Sequence, residues 1–107
     1  MSIEIADVVV SLGGRDDGKR FVIIGTDGQY SFLCDGKGRR IEKPKRKKNK
    51  HLKPEDKIGR RVAEKLVSGE KVANSEIRRA LAEYAAALGD EARLPRGEAR
   101  GVKEGGM

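Results

Sequence analysis

The sequence predicts an α+β protein in which a small SH3-like antiparallel β-barrel is followed by a C-terminal helical hairpin. Short β-branched and apolar runs fill the first half of the chain and are separated by glycine-containing turns. After Pro54 the apolar residues change from alternating to helical spacing. The chain has 107 residues, of which 4% are aromatic, so its hydrophobic core must be small.

The barrel is predicted at residues 1–54, as five short strands in a strongly bent sheet. Asp27-Gly28 predicts a hairpin turn, because glycine tolerates the positive φ that tight turns require, and Asp35-Gly36 is a second such pair. In the third strand Tyr30, Phe32 and Cys34 should share one face. The five strands are expected at residues 8–10, 20–24, 29–34, 39–43 and 51–52.

The helical hairpin is predicted at residues 55–89. Its first helix should begin at Glu55 and end at Ser68-Gly69, and its second should be capped by Asn74 or Ser75 and end at Gly89. Neither helix would be stable alone, so both must pack on each other or on the barrel. The first apolar stripe is Ile58, Val62, Leu66 and Val67, and the second is Ile77, Leu81, Tyr84, Ala85 and Leu88. Residues 90–107 lose the apolar pattern and are predicted to be a disordered tail.

Positive charge is concentrated in one part of the chain. The net charge is +7, but residues 1–36 carry −3, residues 37–61 carry +10 and residues 62–107 carry zero. Between Lys43 and Lys50 there are six cations and no acid. A solvated charged loop or a nuclear localisation signal would also have this composition, but so many like charges are unfavourable unless a polyanion neutralises them. The segment therefore predicts nucleic-acid binding.

RNA is favoured over DNA as the polyanion. No recognition helix for a major groove is evident, because the cations are expected in a loop between strands. No aromatic residue is interleaved with the basic run in the sequence, which argues against a platform for stacking single strands. A cationic loop without stacking residues is typical of proteins that recognise folded RNA by its shape and backbone.

Several motifs together resemble a known family. A run that begins at Val8, alternates apolar and polar residues and reaches Gly18, with Lys19 after it, looks like a KOW motif. Residues 14–18, Asp35-Gly36, Arg39-Arg40 and residues 49–54 resemble the KOW-type large-subunit ribosomal proteins of the 14e/6e/27e group. The likeness is greatest to their compact bacterial relatives, described as KOW-domain RNA-binding proteins. It extends into the helical segment at 69–78 and covers about residues 6–88.

This resemblance implies an SH3-like barrel that contacts ribosomal RNA through its inter-strand loops. Gly18 would permit the turn of the first loop, and Arg39, Arg40 and Arg46 would suit bidentate phosphate contacts. The chain departs from the ribosomal members in its long basic insert after Lys43 and its acidic first strand. The RNA-binding residues expected are Arg15, Lys19, Lys37, Arg39, Arg40, Lys43, Lys45, Arg46, Lys47, Lys48, Lys50 and His51.

No catalytic, metal or cofactor site is predicted. His51 is the single histidine and has no cysteine at zinc-ligand spacing, so a hydrogen bond at a strand start is its expected role and a phosphate contact is the alternative. Asp16, Asp17 and Asp27 lie in glycine-containing turns, where aspartate commonly bonds the local backbone. Cys34 is expected to be a small buried thiol.

The expected compartment is the cytoplasm, since the apolar runs are too short to span a membrane and the N-terminus lacks the design of a signal peptide. The prediction is thus a non-enzymatic RNA-binding protein that acts on ribosomal RNA, either as a ribosomal component or as an associated factor. Two alternatives remain: an SH3-like interaction module that docks an acidic protein such as a translation or transcription factor, and an RNA-processing enzyme, which would need an acid–base pair that is not evident.

Overall fold

The computed structural model describes residues 2–89, which form an α+β fold, as predicted. Five antiparallel strands are followed by two helices. The strands are β1 (Asp7–Ser11), β2 (Arg20–Asp27), β3 (Tyr30–Cys34), β4 (Lys45–Lys48) and β5 (Leu52–Lys57), and the helices are α1 (Arg60–Ser68) and α2 (Asn74–Ala87). The predicted tail at 90–107 lies outside the described residues. No helix among residues 2–89 is both long enough and apolar enough to cross a membrane.

The strands form one open sheet in the order β4-β3-β2-β1-β5, so the pairing does not produce the closed barrel that was expected. The sheet is nevertheless strongly curved. In a flat sheet β4 would lie about 14 Å from β1, at three strand spacings, yet the Lys47 ammonium on β4 donates to the Ser11 hydroxyl at the end of β1. Register shifts between Val8 and Val9 and between Ile23 and Gly25 mark the bulges that increase the bend.

Both faces of the sheet are packed. One face and the two helices enclose a core that contains Val8, Val22, Cys34, Val62 and Ile77. The other face has its own core, built from strand residues that are 0–5% exposed although neither helix contributes to it: Val9, Phe21, Ile23, Leu33 and Leu52. Such burial requires the sheet to curl around these side chains, which agrees with the contact between β4 and β1.

Two strands differ from the prediction. The fourth was expected at residues 39–43, but β4 is formed by Lys45–Lys48, and residues 35–44 are a long loop instead of a tight Asp35-Gly36 turn. The centre of the basic run is therefore an edge strand and not a loop, and charged side chains on an edge strand disfavour pairing with another sheet. β5 continues through Pro54 to Lys57, because it is the other edge strand and pairs only with β1.

The helices correct the prediction in several places. Helix α1 begins at Arg60, so Glu55 and Asp56 belong to β5 and not to a helix. Val67 and Leu88, expected in the apolar stripes, are 70% and 54% exposed. Ala80 is buried although it was not predicted. The predicted ends are confirmed, since Gly69 and Gly89 have positive φ values of 82° and 78°.

Candidate nucleic-acid interface

The curl of the sheet gathers three segments into one cationic region, here called the basic surface. It consists of the β1–β2 loop at residues 12–19, the β3–β4 loop at residues 35–44, and β4 with the 3-10 turn Asn49–His51 that follows it. Eleven cations lie in these segments, against four acids. The cations are Arg15, Lys19, Lys37, Arg39, Arg40, Lys43, Lys45, Arg46, Lys47, Lys48 and Lys50, and the acids are Asp16, Asp17, Asp35 and Glu42.

A nearly buried carboxylate joins the three segments. Asp16 is 5% exposed and accepts a hydrogen bond from Arg39 Nη2 at 2.9 Å and another from Lys45 Nζ at 3.0 Å. The Lys19 ammonium lies 3.6 Å from its other oxygen. These four residues, here called the Asp16 cluster, connect the β1–β2 loop, the β3–β4 loop and β4. The basic run therefore does have a compensating acid, contrary to the sequence prediction.

The Asp16 cluster stabilises the charged form of its carboxylate. The Lys45 hydrogen bond is the largest cause, and with Arg39 it outweighs the effect of burial and lowers the pKa of Asp16 to about 2. Asp16 is thus ionised at neutral pH. Each carboxylate lone pair that binds one of these cations also fixes where that cation can point, so Arg39 and Lys45 are held in place by the protein.

The side chains of β4 alternate between two environments. Lys47 is a structural residue, because its ammonium donates to the Ser11 hydroxyl and to the carbonyl oxygens of Leu12 and Gly13 at 3.3 Å each. Lys45 is bound to Asp16 on the same side. Arg46 and Lys48 point the other way and are exposed. Within β4, only the alternate cations Arg46 and Lys48 are therefore available to a ligand.

Strand pairing brings an aromatic ring to the exposed members. Tyr30 on β3 pairs with Lys48, and the Arg46 guanidinium carbon lies 3.6 Å from the centroid of the Tyr30 ring. The Lys48 ammonium lies 5.9 Å from the same centroid. No aromatic residue is interleaved with the basic run in the sequence, but strand pairing supplies one from the neighbouring strand.

Helix α2 holds the β3–β4 loop in place through hydrogen bonds. The Arg78 Nη1 atom donates to the Gly36 carbonyl at 2.6 Å, and the Asn74 side chain accepts from the Ile41 amide at 2.8 Å and donates to Glu42. A Cβ on Gly36 would lie 2.4 Å from the Asn74 carbonyl oxygen, so only glycine fits this contact. Asn74 therefore binds the loop and does not cap the helix, whose N-cap is Ala73.

The other predicted residues lie on the basic surface with fewer partners. Gly18 has a φ of +83° and its amide donates to the Ser11 carbonyl, as a loop turn requires. His51 is exposed, and its backbone carbonyl accepts from the Leu12 amide at 2.9 Å. Seven exposed cations of the basic surface make no ion pair within residues 2–89: Arg15, Lys37, Arg40, Lys43, Arg46, Lys48 and Lys50.

Sequence reasoning missed the residues that organise these cations. Asp16 was interpreted as a turn residue, a role that Asp17 and Asp35 do fill, since Asp17 accepts from the Gly13 amide and Asp35 from the Lys37 amide. Tyr30 and Asn74 were assigned only to a strand face and a helix cap. None of these roles has a local sequence signal, because each depends on which strand or loop packs beside the residue.

The Cys34 thiol and possible metal ligands are the remaining groups to consider for reactivity or metal binding. Cys34 is buried in the core beneath the helices, as predicted, and burial raises the pKa of its thiol to about 12, which leaves it protonated and unreactive. Within the described part of the chain, no three histidine, cysteine, aspartate or glutamate residues are grouped as metal ligands.

Comparison with known proteins yields no matching family model and no matching curated protein.

The Asp16 cluster should contribute to stability in a pH-dependent way. We expect Asp16→Asn to lower the free energy of unfolding at pH 7 by about 1–2 kcal/mol, because Arg39, Lys45 and Lys19 lose an ionised partner. The folded pKa of Asp16 lies below the ordinary value of 3.8. The stabilisation is therefore complete above about pH 4 and is lost as the pH falls through about 2. Urea unfolding at several pH values measures it.

Asp27→Asn is the matched control for this experiment, since Asp27 is an exposed aspartate in the β2–β3 hairpin. Its stability at pH 7 should be close to that of the wild type, because the substituted side chain is exposed. If Asp16→Asn and Asp27→Asn unfold at the same urea concentration at pH 7, the Asp16 cluster does not stabilise the fold.

Neighbouring lysines of β4 should respond differently to the same substitution. Lys47→Met should lower the free energy of unfolding by about 1–3 kcal/mol, because three acceptors lose their donor. Lys48→Met should change stability by no more than about 0.5 kcal/mol, since its side chain is exposed. Thermal and urea unfolding of the two variants provide the measurement, and equal stabilities would contradict the structural role of Lys47.

Proposed function

We propose that this protein binds folded RNA through the basic surface, with ribosomal RNA as the target, and acts in translation or ribosome assembly in the cytoplasm. The observation that carries the proposal is the arrangement of the seven exposed cations without ion pairs, on three segments joined by the Asp16 cluster. Phosphates would supply the negative charge that the protein lacks there. The protein's role is binding and not catalysis.

The arrangement of acids supports this proposal. Glu4 and Asp7, at the beginning of β1, both pair with Lys57 of β5 at 2.9 and 2.8 Å. Lys57 offsets one of these two negative charges near the start of β1, whereas Lys47 contacts Ser11 at the opposite end of the same strand. The acids of the first strand and the basic surface therefore lie toward opposite ends of β1.

Protection of the sheet edge is a simpler explanation for part of the pattern. Charges on β4 discourage pairing with another strand, which accounts for Arg46 and Lys48. It does not account for Arg15, Lys37 and Lys43, which come from the loops. A second function of the cations is needed to explain why the loops share the charge of the edge strand.

The resemblance to KOW-domain RNA-binding proteins is the reason for proposing ribosomal RNA as the target. In that family the inter-strand loops of an SH3-like barrel contact ribosomal RNA, and here the loops between β1 and β2 and between β3 and β4 carry the exposed cations. We extend the proposal to the fold: the curved, open sheet is a variant of that barrel in which the long β3–β4 loop is held by helix α2.

An interaction module that docks an acidic protein remains the second candidate. It is favoured by the same positive charge, because carboxylates can also neutralise lysine and arginine. The two functions differ in their response to ribonuclease: complexes with an acidic protein survive the treatment, whereas complexes held by RNA do not.

Crosslinking in cells, followed by sequencing of the bound RNA, tests the proposal. The test variant changes four exposed cations of the basic surface, Arg15, Lys43, Lys48 and Lys50, to glutamine. We expect wild type to recover ribosomal RNA fragments and the variant to lose at least about nine-tenths of this signal, since several phosphate contacts are removed.

A matched control removes the same charge elsewhere. Arg60, Arg61, Lys71 and Arg79 are exposed residues of the helical region, outside the basic surface. Changing them to glutamine also lowers the net charge from +7 to +3 and should preserve most of the signal. Equal losses in the two variants would show that only net charge matters, and equal recovery by all three proteins would contradict the assigned surface.

A further inference from the structure

One aromatic ring lies beside the basic surface, outside the two hydrophobic cores. Phe21 lies in the core of the curled face and Tyr84 packs against the helical core. Tyr30 is half-buried and belongs to neither core among the described residues. Its ring is contacted instead by two cations of the edge strand, Arg46 and Lys48.

The contact with Arg46 has the geometry of a stack. A distance of 3.6 Å from the guanidinium carbon to the ring centroid is van der Waals contact, and it requires the cation to lie over the face of the ring. One side of the planar guanidinium is therefore covered by Tyr30. Arg46 is an exposed residue despite this contact, so part of its side chain remains accessible to a ligand.

The neighbouring strand supports this arrangement. Phe32 pairs with Arg46 across β3 and β4, and it lies on the same face of β3 as Tyr30 because side chains alternate along a strand. The Phe32 ring covers Gly25 of β2, where an added Cβ would be 3.5 Å from the ring. Tyr30, Phe32, Arg46 and Lys48 thus form one aromatic and cationic patch along β3 and β4, at the edge of the sheet.

We propose that Arg46, stacked on Tyr30, is a platform for an unpaired base in a loop or bulge of the bound RNA. Unpaired bases in folded RNA stack on aromatic rings and on arginine planes. The remaining N–H groups of Arg46 and the ammonium of Lys48 then contact the adjacent phosphates. The inference rests on the proposed function and adds the class of RNA: a folded RNA with an extruded nucleotide.

The charge of the patch favours RNA over the other ligands that an aromatic patch could accept. Arg46 and Lys48 carry two positive charges with no carboxylate paired to them within residues 2–89, and Lys50 follows on the next turn. An apolar peptide would leave these charges without partners. A nucleotide supplies both a flat ring to stack and a phosphate to neutralise them.

Three RNA hairpins of equal length test the proposal: one with a bulged adenosine, one with an abasic site at the bulge, and one fully paired. They differ very little in charge, so electrostatic attraction binds them almost equally. We expect wild type to bind the adenosine bulge about tenfold more tightly than the abasic bulge. Fluorescence anisotropy with labelled hairpins measures the ratio of the two affinities.

Substitutions then separate stacking from charge. Arg46→Lys keeps the charge and removes the plane, so the ratio should fall to about one while the salt dependence of binding stays unchanged. Tyr30→Leu should lower the ratio in the same way, and Tyr30→Phe should retain it because the ring remains. Thermal unfolding verifies that each variant is folded.

The outcomes distinguish this inference from the proposed function. If wild type binds all three hairpins equally but with a steep salt dependence, the stacking platform is wrong and the RNA-binding function stands. A ratio that persists in Arg46→Lys also overturns the platform. If wild type binds none of the hairpins at low salt, both proposals fail.

Discussion

The Asp16 carboxylate is the interaction on which the basic surface depends. Three segments that are distant in sequence and rich in positive charge would repel one another if they approached without an anion between them. Asp16 supplies one buried negative charge to Arg39, Lys45 and Lys19 at once. It offsets part of this repulsion where the loops and β4 meet, yet the surface stays positive because one acid cannot neutralise so many cations.

This arrangement gives the cations two roles: some hold the structure together, and others remain exposed to a ligand. Those that face the β1–β2 loop, Lys45 and Lys47, hold the edge strand in place through Asp16 and through the backbone at the end of β1. Those on the other face and in the loops remain exposed. The period-two alternation of a strand produces this division, and a flexible loop with the same composition would not. A preorganised surface loses less conformational entropy when it binds a ligand.

The helices complete the arrangement by fixing the β3–β4 loop. This loop is ten residues long, between Cys34 and Lys45, and it would be costly to order if only its ends were held. Arg78 and Asn74 bind its backbone at Gly36 and Ile41, and the absence of a side chain at Gly36 permits the close approach. Helix α2 therefore supports one loop of the candidate interface without being part of the basic surface.

Local patterns predicted the elements that depend on local chemistry. The alternation around Tyr30–Cys34, the Asp27-Gly28 hairpin and the terminal glycines Gly69 and Gly89 were all recognisable, since each follows from backbone preferences or the side-chain period. β4 was not, because four consecutive cations have low strand propensity and become a strand only through their partners on β3 and at Asp16. The Tyr30–Arg46 stack could not be predicted either, because it depends on the pairing register of β3 and β4.

The most direct test of this account is the salt dependence of the binding of wild-type protein to a folded RNA. If about six of the exposed cations contact phosphates, the logarithm of the affinity should fall with the logarithm of the salt concentration at a slope of roughly −4 to −5. The affinity should then drop by two to three orders of magnitude between about 50 and 200 mM salt. An affinity that does not change over this range would contradict an electrostatic interface on the basic surface.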